Sequence, residues 1–203
     1  MKKLLIVWLF LNALQGFSQS IKATYTSTSG SAPPGASTNK PVPYIFAYKY
    51  CNGKSISTLI SGPQPRINRT GPAENIFYKD KAKNIIKWEV NTGINSYSIV
   101  DKLESFDWKI TTETKDINGY LCTKAKCVIN NAPVVAWFCP VIKIPDGPLM
   151  YNGLPGFIIK ITTLNSSEII ASEIEITDKP LQITEPVLKN NIINMKDFKQ
   201  LTQ

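Results

Sequence analysis

Histidine is absent from the 203-residue sequence. The commonest general base near neutral pH is therefore missing, and neither a Ser-His nor a Cys-His nucleophile pair can be assembled. Arginine is confined to Arg66 and Arg69, and the lysines are spread along the chain. A nucleic-acid-binding stripe needs basic side chains gathered on one face, so nucleic acid is not expected as a partner. No glycine-rich phosphate loop, hydrolase elbow or metal-ligand spacing occurs, and neither metal nor cofactor is expected. Neighbouring carboxylates include Glu113 with Asp116 and Glu173 with Glu175. The second pair flanks Ile174, which makes it the solvated side of an amphipathic strand rather than an acid/base pair. From these gaps the chain is expected not to be an enzyme.

What is present begins with an export signal. "MKK" supplies positive charge, "LLIVWLFL" an apolar core, and "NALQGFSQ" a polar exit rich in small residues, the pattern of a secretory signal peptide over residues 1–18. The core is far shorter than the roughly 20 residues that cross a bilayer as a helix, so cleavage after Ser18 is expected and no membrane span. With no cysteine at the junction, lipid anchoring is not expected either. The reading places residues 19–203 in the periplasm or at the cell surface as one β-rich domain. Lys2 and Lys3 leave with the signal, so the formal charge of +8 falls by two. A solvated basic surface accounts for what remains.

The four cysteines, Cys51, Cys122, Cys127 and Cys139, read as disulfide formers in an exported chain. A four-thiolate zinc site is disfavoured because no C-x2-C pair occurs. In "GYLCTKAKCVINNAPVVAWFCPV" two extended runs flank "NNAP". A turn there sets Cys122 near Cys139 and Cys127 against Val135 or Ala136. The expected bridge is Cys122 to Cys139, with Cys51 and Cys127 free or joined to each other.

Elsewhere turn chemistry separates β-prone runs. Asn52-Gly53 and Asn118-Gly119 each stand between two such runs, the strongest short-range signal for a tight hairpin, because both central residues must take positive φ. Further strands are expected at "IKATYTST", "NIIKWEV", "SYSIV", "FIIKITTL" and "EIIASEIEIT". One short helix is expected at "NMKDFKQLT", with Asn194 as its N-cap. "STSGSAPPGASTNKPVP", residues 27–43, reads as a long surface loop. The expected fold class is mainly β: a single antiparallel curved sheet or half-barrel with few short helices.

The densest turn signal is "YNGLPGFIIKI", residues 151–161. Pro155 fixes φ and Gly156 tolerates positive φ, so "LPGF" fits a type II turn. The motif turn Gly153, Pro155 and Gly156 carries no titratable group, and its role must come from backbone shape. Residues 106–161 resemble the GLPGLI family of exported Bacteroidetes proteins, whose name motif stands here as Gly153-Leu154-Pro155-Gly156-Phe157-Ile158. The resemblance extends over "W-x-I-T-x-E-T-K-x-I-x-G-Y-x-C-x-K-A" from Trp108 to Ala125, "A-W-F" from Ala136 to Phe138, and the "I-P" and "G-P" steps. Phe157 replaces the family's leucine, and the usual Gly-Arg step before the A-W-F strand is missing. The resemblance implies an exported lineage and no established activity.

A curved antiparallel sheet offers a concave face to an apolar ligand. The expected function is accordingly a non-enzymatic binding or carrier module for an apolar ligand, with docking on an outer-membrane protein or other envelope partner as the alternative. Trp108, Trp137, Leu154 and Phe157 are the side chains expected to meet a ligand or partner.

Overall fold

The computed structural model describes residues 19–28, 42–62, 75–91 and 95–201. The expected signal peptide, most of the expected surface loop and both arginines lie outside the described residues. The described residues form one open sheet of twelve strands, and the mainly β expectation holds. Strands β1 (Ser20–Thr28), β2 (Tyr44–Cys51), β3 (Lys54–Ser61), β4 (Ile76–Asp80), β5 (Ile85–Asn91) and β6 (Ser96–Lys102) form one meander. Strands β7 (Lys109–Ile117), β8 (Tyr120–Ile129), β9 (Ala132–Cys139), β10 (Phe157–Thr162) and β11 (Glu168–Thr177) form another. The meanders join where β1 pairs antiparallel with β11. The two-residue strand β12 (Ile192–Ile193) lies parallel to β6, which makes the sheet mixed at that edge.

The hairpins follow from their turn residues. Asn52 and Gly53 take φ of 51° and 76°, and Asn118 and Gly119 take 54° and 82°. These are the left-handed angles that a two-residue turn demands if its twist is to match the strands. The β8–β9 hairpin uses Asn130 and Asn131, at 49° and 60°; asparagine tolerates this region because its side chain bonds locally. Helix α1 (Met195–Leu201) starts where expected, with the amide of Asp197 donating to Asn194 Oδ1 at 2.9 Å.

Apolar residues collect in two clusters. The larger contains Tyr25, Tyr48 and Phe157, whose ring centroids lie 5.6–6.2 Å apart. It also holds Ile21, Leu154, Ile158, Ile159 and Ile161, all fully buried. The smaller sits at the β4–β6 end, where Phe77 stacks on Trp88 at 4.4 Å and Phe198 of α1 packs edge-on to Trp88 and Tyr97. The chain after β11 crosses the other face. There Glu185 pairs with Lys83 and Lys87, which holds its carboxyl at about 2. Buried Glu89 accepts from Ser98 Oγ and from the amide of Lys189.

Two expectations bear on local structure. Cys51, Cys122, Cys127 and Cys139 are all buried free thiols. The pairing of Thr123 with Phe138 does bring the next residues, Cys122 and Cys139, opposite one another, whereas Cys127 meets Val134. Burial pushes the Cys122 thiol up to about 12, with Cys139 adding to the effect. The expected turn is corrected: Gly153 takes the positive φ, 90°, and Gly156 does not. The amide of Gly156 donates to the carbonyl of Leu154 at 2.8 Å, a three-residue reversal about Pro155 in place of a type II turn.

Candidate functional site

Between β9 and β10 the chain, residues 140–156, crosses one face of the sheet. It is held there by a lysine that belongs inside the protein. Lys79 of β4 is 3% exposed, and its ammonium group donates to Asp146 Oδ1, to the carbonyl of Gly147 and to that of Tyr151. All three of its protons are spent, the condition under which a charge can be kept out of water. Burial lowers the Lys79 pKa, and the charge of Asp146 opposes that shift. The segment is fastened further by the Leu149 amide donating to Ser57 Oγ at 3.2 Å and by the Gly153 amide donating to the Pro145 carbonyl at 3.1 Å. The Ile158 amide donates to the Asp146 carbonyl at 3.0 Å.

Two glycines let the crossing lie flat. A Cβ on Gly156 would stand 2.4 Å from the carbonyl oxygen of Cys139, and one on Gly147 would stand 2.6 Å from Ile158 Cβ. At both places the backbone passes closer than any side chain allows. Within the motif, Gly156 is required for close contact rather than for φ.

Where this segment meets β4 and the β2–β3 turn, it leaves a cleft of about 70 Å³ lined by Tyr50, Lys79, Lys81, Asp146, Asn152 and Gly153, with Leu103 and Pro145 as its apolar wall. Both amide protons of Asn152 are directed to backbone carbonyls, those of Glu104 at 3.1 Å and Met150 at 3.0 Å. Trp108 supports the rim, its indole N–H donating to the Asn152 carbonyl at 2.9 Å and its ring lying 5.8 Å from that of Phe106.

The expected site residues thus separate. Trp108 and Gly153 are brought to the cleft. Leu154 and Phe157 are fully buried in the larger cluster and present no surface to a partner. Pro155 is exposed beside them. Trp137 lies on the opposite face from Ala136, paired in register with Lys124 and Lys160; the Lys124 ammonium stands 5.6 Å from its ring centroid. Glu113 pairs with Lys124 at 2.7 Å, and Asp116 accepts from the Gly119 amide at 3.1 Å, so these carboxylates hold the sheet. Glu173 and Glu175 are exposed, as expected of a solvated strand side; Glu175 pairs with Lys22 at 3.0 Å. They border a shallow trough of about 370 Å³ on that face. Lys79, Lys81, Asp146 and Asn152 were missed by sequence reasoning. The available signals were a lysine and an aspartate in otherwise buried-looking runs, "NIFYKD" and "KIPDGP".

The fold and cleft define a β-sheet module with a small polar recess clamped by a buried ion pair. The chain belongs to the family described as N-glycanase peptide, N-terminal domain, which matches residues 51–202. Among solved structures, two of PNGF-II, in the P21 and C2 space groups, are similar with TM-scores of 0.60 and 0.55 at 17% identity. Each match covers 90% of this chain but 33% and 32% of the PNGF-II chain, so this chain spans about a third of that protein's length. At that identity the likeness is one of fold. No curated protein matches. The family overturns the expectation that the chain is not an enzyme: it points to a glycanase-related family, as an N-terminal domain. The absence of histidine describes only these residues, and a domain can belong to a glycanase family without carrying its nucleophile or base.

Proposed function

We propose that this chain is an exported module of N-glycan processing, which holds a glycan-bearing substrate. The observation that carries this is the family match, which spans β3 to α1 and so includes the whole 140–156 crossing and every residue lining its cleft but Tyr50. Export is supported by the composition of residues 1–18 and by the GLPGLI-type motifs from Trp108 to Ile158. In that compartment the facing thiols of Cys122 and Cys139 are proposed to close by exchange with a disulfide-bearing oxidant, which takes up both electrons as the two thiol protons are released. Non-reducing peptide mapping of secreted protein tests this; a Cys122–Cys51 linkage or four free thiols overturns it. The apolar carrier reading has less support, because Tyr25, Tyr48, Leu154, Phe157 and Ile158 already fill the face that an apolar ligand would need.

The test of the module reading is calorimetric titration of the full chain with an N-glycosylated peptide and with the same peptide stripped of its glycan. Binding of the glycosylated form alone is expected. Equal binding of both forms, or no binding of either, overturns the reading.

A further inference from the structure

We propose that the cleft beside Asp146 is a monosaccharide subsite that grips the hydroxyl edge of one neutral sugar ring; this rests on the glycan-holding function above. The argument begins with hydrogen bonds left unmade. Asp146 is 6% exposed, and its Oδ1 accepts both the Lys79 ammonium and the amide of Gly147. Its Oδ2 receives no donor among the described residues, so it is open to protons that a ligand in the cleft brings, and a carboxylate oxygen accepts two. Asn152 completes the acceptor set, since its amide protons are committed to Glu104 and Met150 while no donor among the described residues reaches its Oδ1. Two acceptors at one recess match a ligand that brings hydroxyl protons.

Charge selects among such ligands. A lone carboxylate would favour an amine or a metal cation. Here Lys79 neutralises Asp146 at direct contact, and Lys81 adds a positive group to the lining. A cation therefore meets no net attraction. An anion meets the unspent carboxylate oxygen, because Lys79 has no proton left to offer. A neutral polyol fits both acceptors, can accept from Lys81, and can lay its C–H face on Leu103 and Pro145.

Size narrows the occupant further. One water needs about 10–15 Å³ of such space, so a cleft of about 70 Å³ takes several waters or the hydroxyl edge of a single ring. An oligosaccharide would place one residue here and continue along the surface.

The test uses the full chain labelled with 15N and titrated separately with N-acetylglucosamine, mannose, ammonium chloride and sodium acetate. Saturable amide shifts at Lys81 and Gly153 are expected with at least one sugar and with neither salt. Asp146→Asn, which keeps the shape but loses the charge, should weaken sugar binding about tenfold, the scale of one charge-assisted hydrogen bond. Lys81→Ala should weaken it several-fold, and because this residue is exposed it keeps the test decisive if Asp146→Asn does not fold. Shifts with a salt alone, or no saturable shift at the cleft with either sugar, overturn the subsite. Glycosylated-peptide binding that is unchanged in both variants also overturns it while leaving the module reading intact; failure of that peptide to bind at all sinks both.

Discussion

Lys79 and Lys22 each hold a carboxylate on this sheet, yet they hold very different amounts of structure. The side chains of the Lys79–Asp146 pair are 3% and 9% exposed and fasten a seventeen-residue crossing to β4, whereas those of the Lys22–Glu175 pair are 46% and 62% exposed and fasten two strands that the ladder already joins. Water screens the outer pair and competes for both its partners. The inner pair has no such alternative, so its worth lies in what removal of one partner leaves behind. Chemistry alone does not separate the two sites; burial does.

The comparison is broken most forcefully by Asp146→Ala. It strands the Lys79 charge away from water and should cost about 3–5 kcal/mol, read as a lower midpoint in denaturant unfolding. A loss no larger than that of a surface variant would show that Lys79 escapes to solvent.

Gly156→Ala comes next. Its new Cβ would lie 2.4 Å from a backbone oxygen that cannot swing aside, and about 2 kcal/mol should be lost by overpacking. Gly153→Ala meets only the Trp108 ring at 4.0 Å, so its cost should be about 1 kcal/mol and come from φ. Thermal melts of the two variants should fall in that order. The reverse order would restore the turn expected from sequence, with positive φ at Gly156.

Alkaline pH probes the same interior without mutation. In the reduced protein, burial holds the Cys122 and Tyr151 groups at about 12 and Cys127 at about 11, whereas an ordinary thiol titrates near 9.0. Above pH 9 the unfolded chain therefore releases protons that the folded chain retains, and stability should decline progressively between pH 9 and 12. Melting temperatures of the reduced protein at pH 7, 9 and 10.5 measure it, and a flat profile up to pH 10.5 contradicts the buried placement of these groups. At the small end, Lys22→Ala should change stability by less than about 0.5 kcal/mol and Kd for a glycosylated peptide not at all. A larger stability loss would mean that the outer trough is more than a solvated surface.

Sequence by itself determined the elements whose signals are local. The two Asn-Gly turns require left-handed backbone at successive residues, so they announced β2–β3 and β7–β8 without help from the rest of the chain. The alternation in "EIIASEIEIT" gave β11 and its solvated glutamates, and Asn194 gave the helix start. The facing of Cys122 and Cys139 followed from counting back along both strands from one turn. Only the tertiary structure decided the rest. Strand β4 carries Lys79 and Asp80, both buried, and no local pattern says that a lysine will find three acceptors contributed by a segment 67 to 72 residues away. Gly156 looked like a turn glycine because its neighbour is proline; its true constraint, the Cys139 carbonyl, comes from another strand. Leu154 and Phe157 are apolar in either reading, and burial was assigned to them by what folds over them. The cleft exists only where β4, the β2–β3 turn and the 140–156 crossing converge, because a recess is a relation among distant backbones and leaves no mark on any one stretch of sequence.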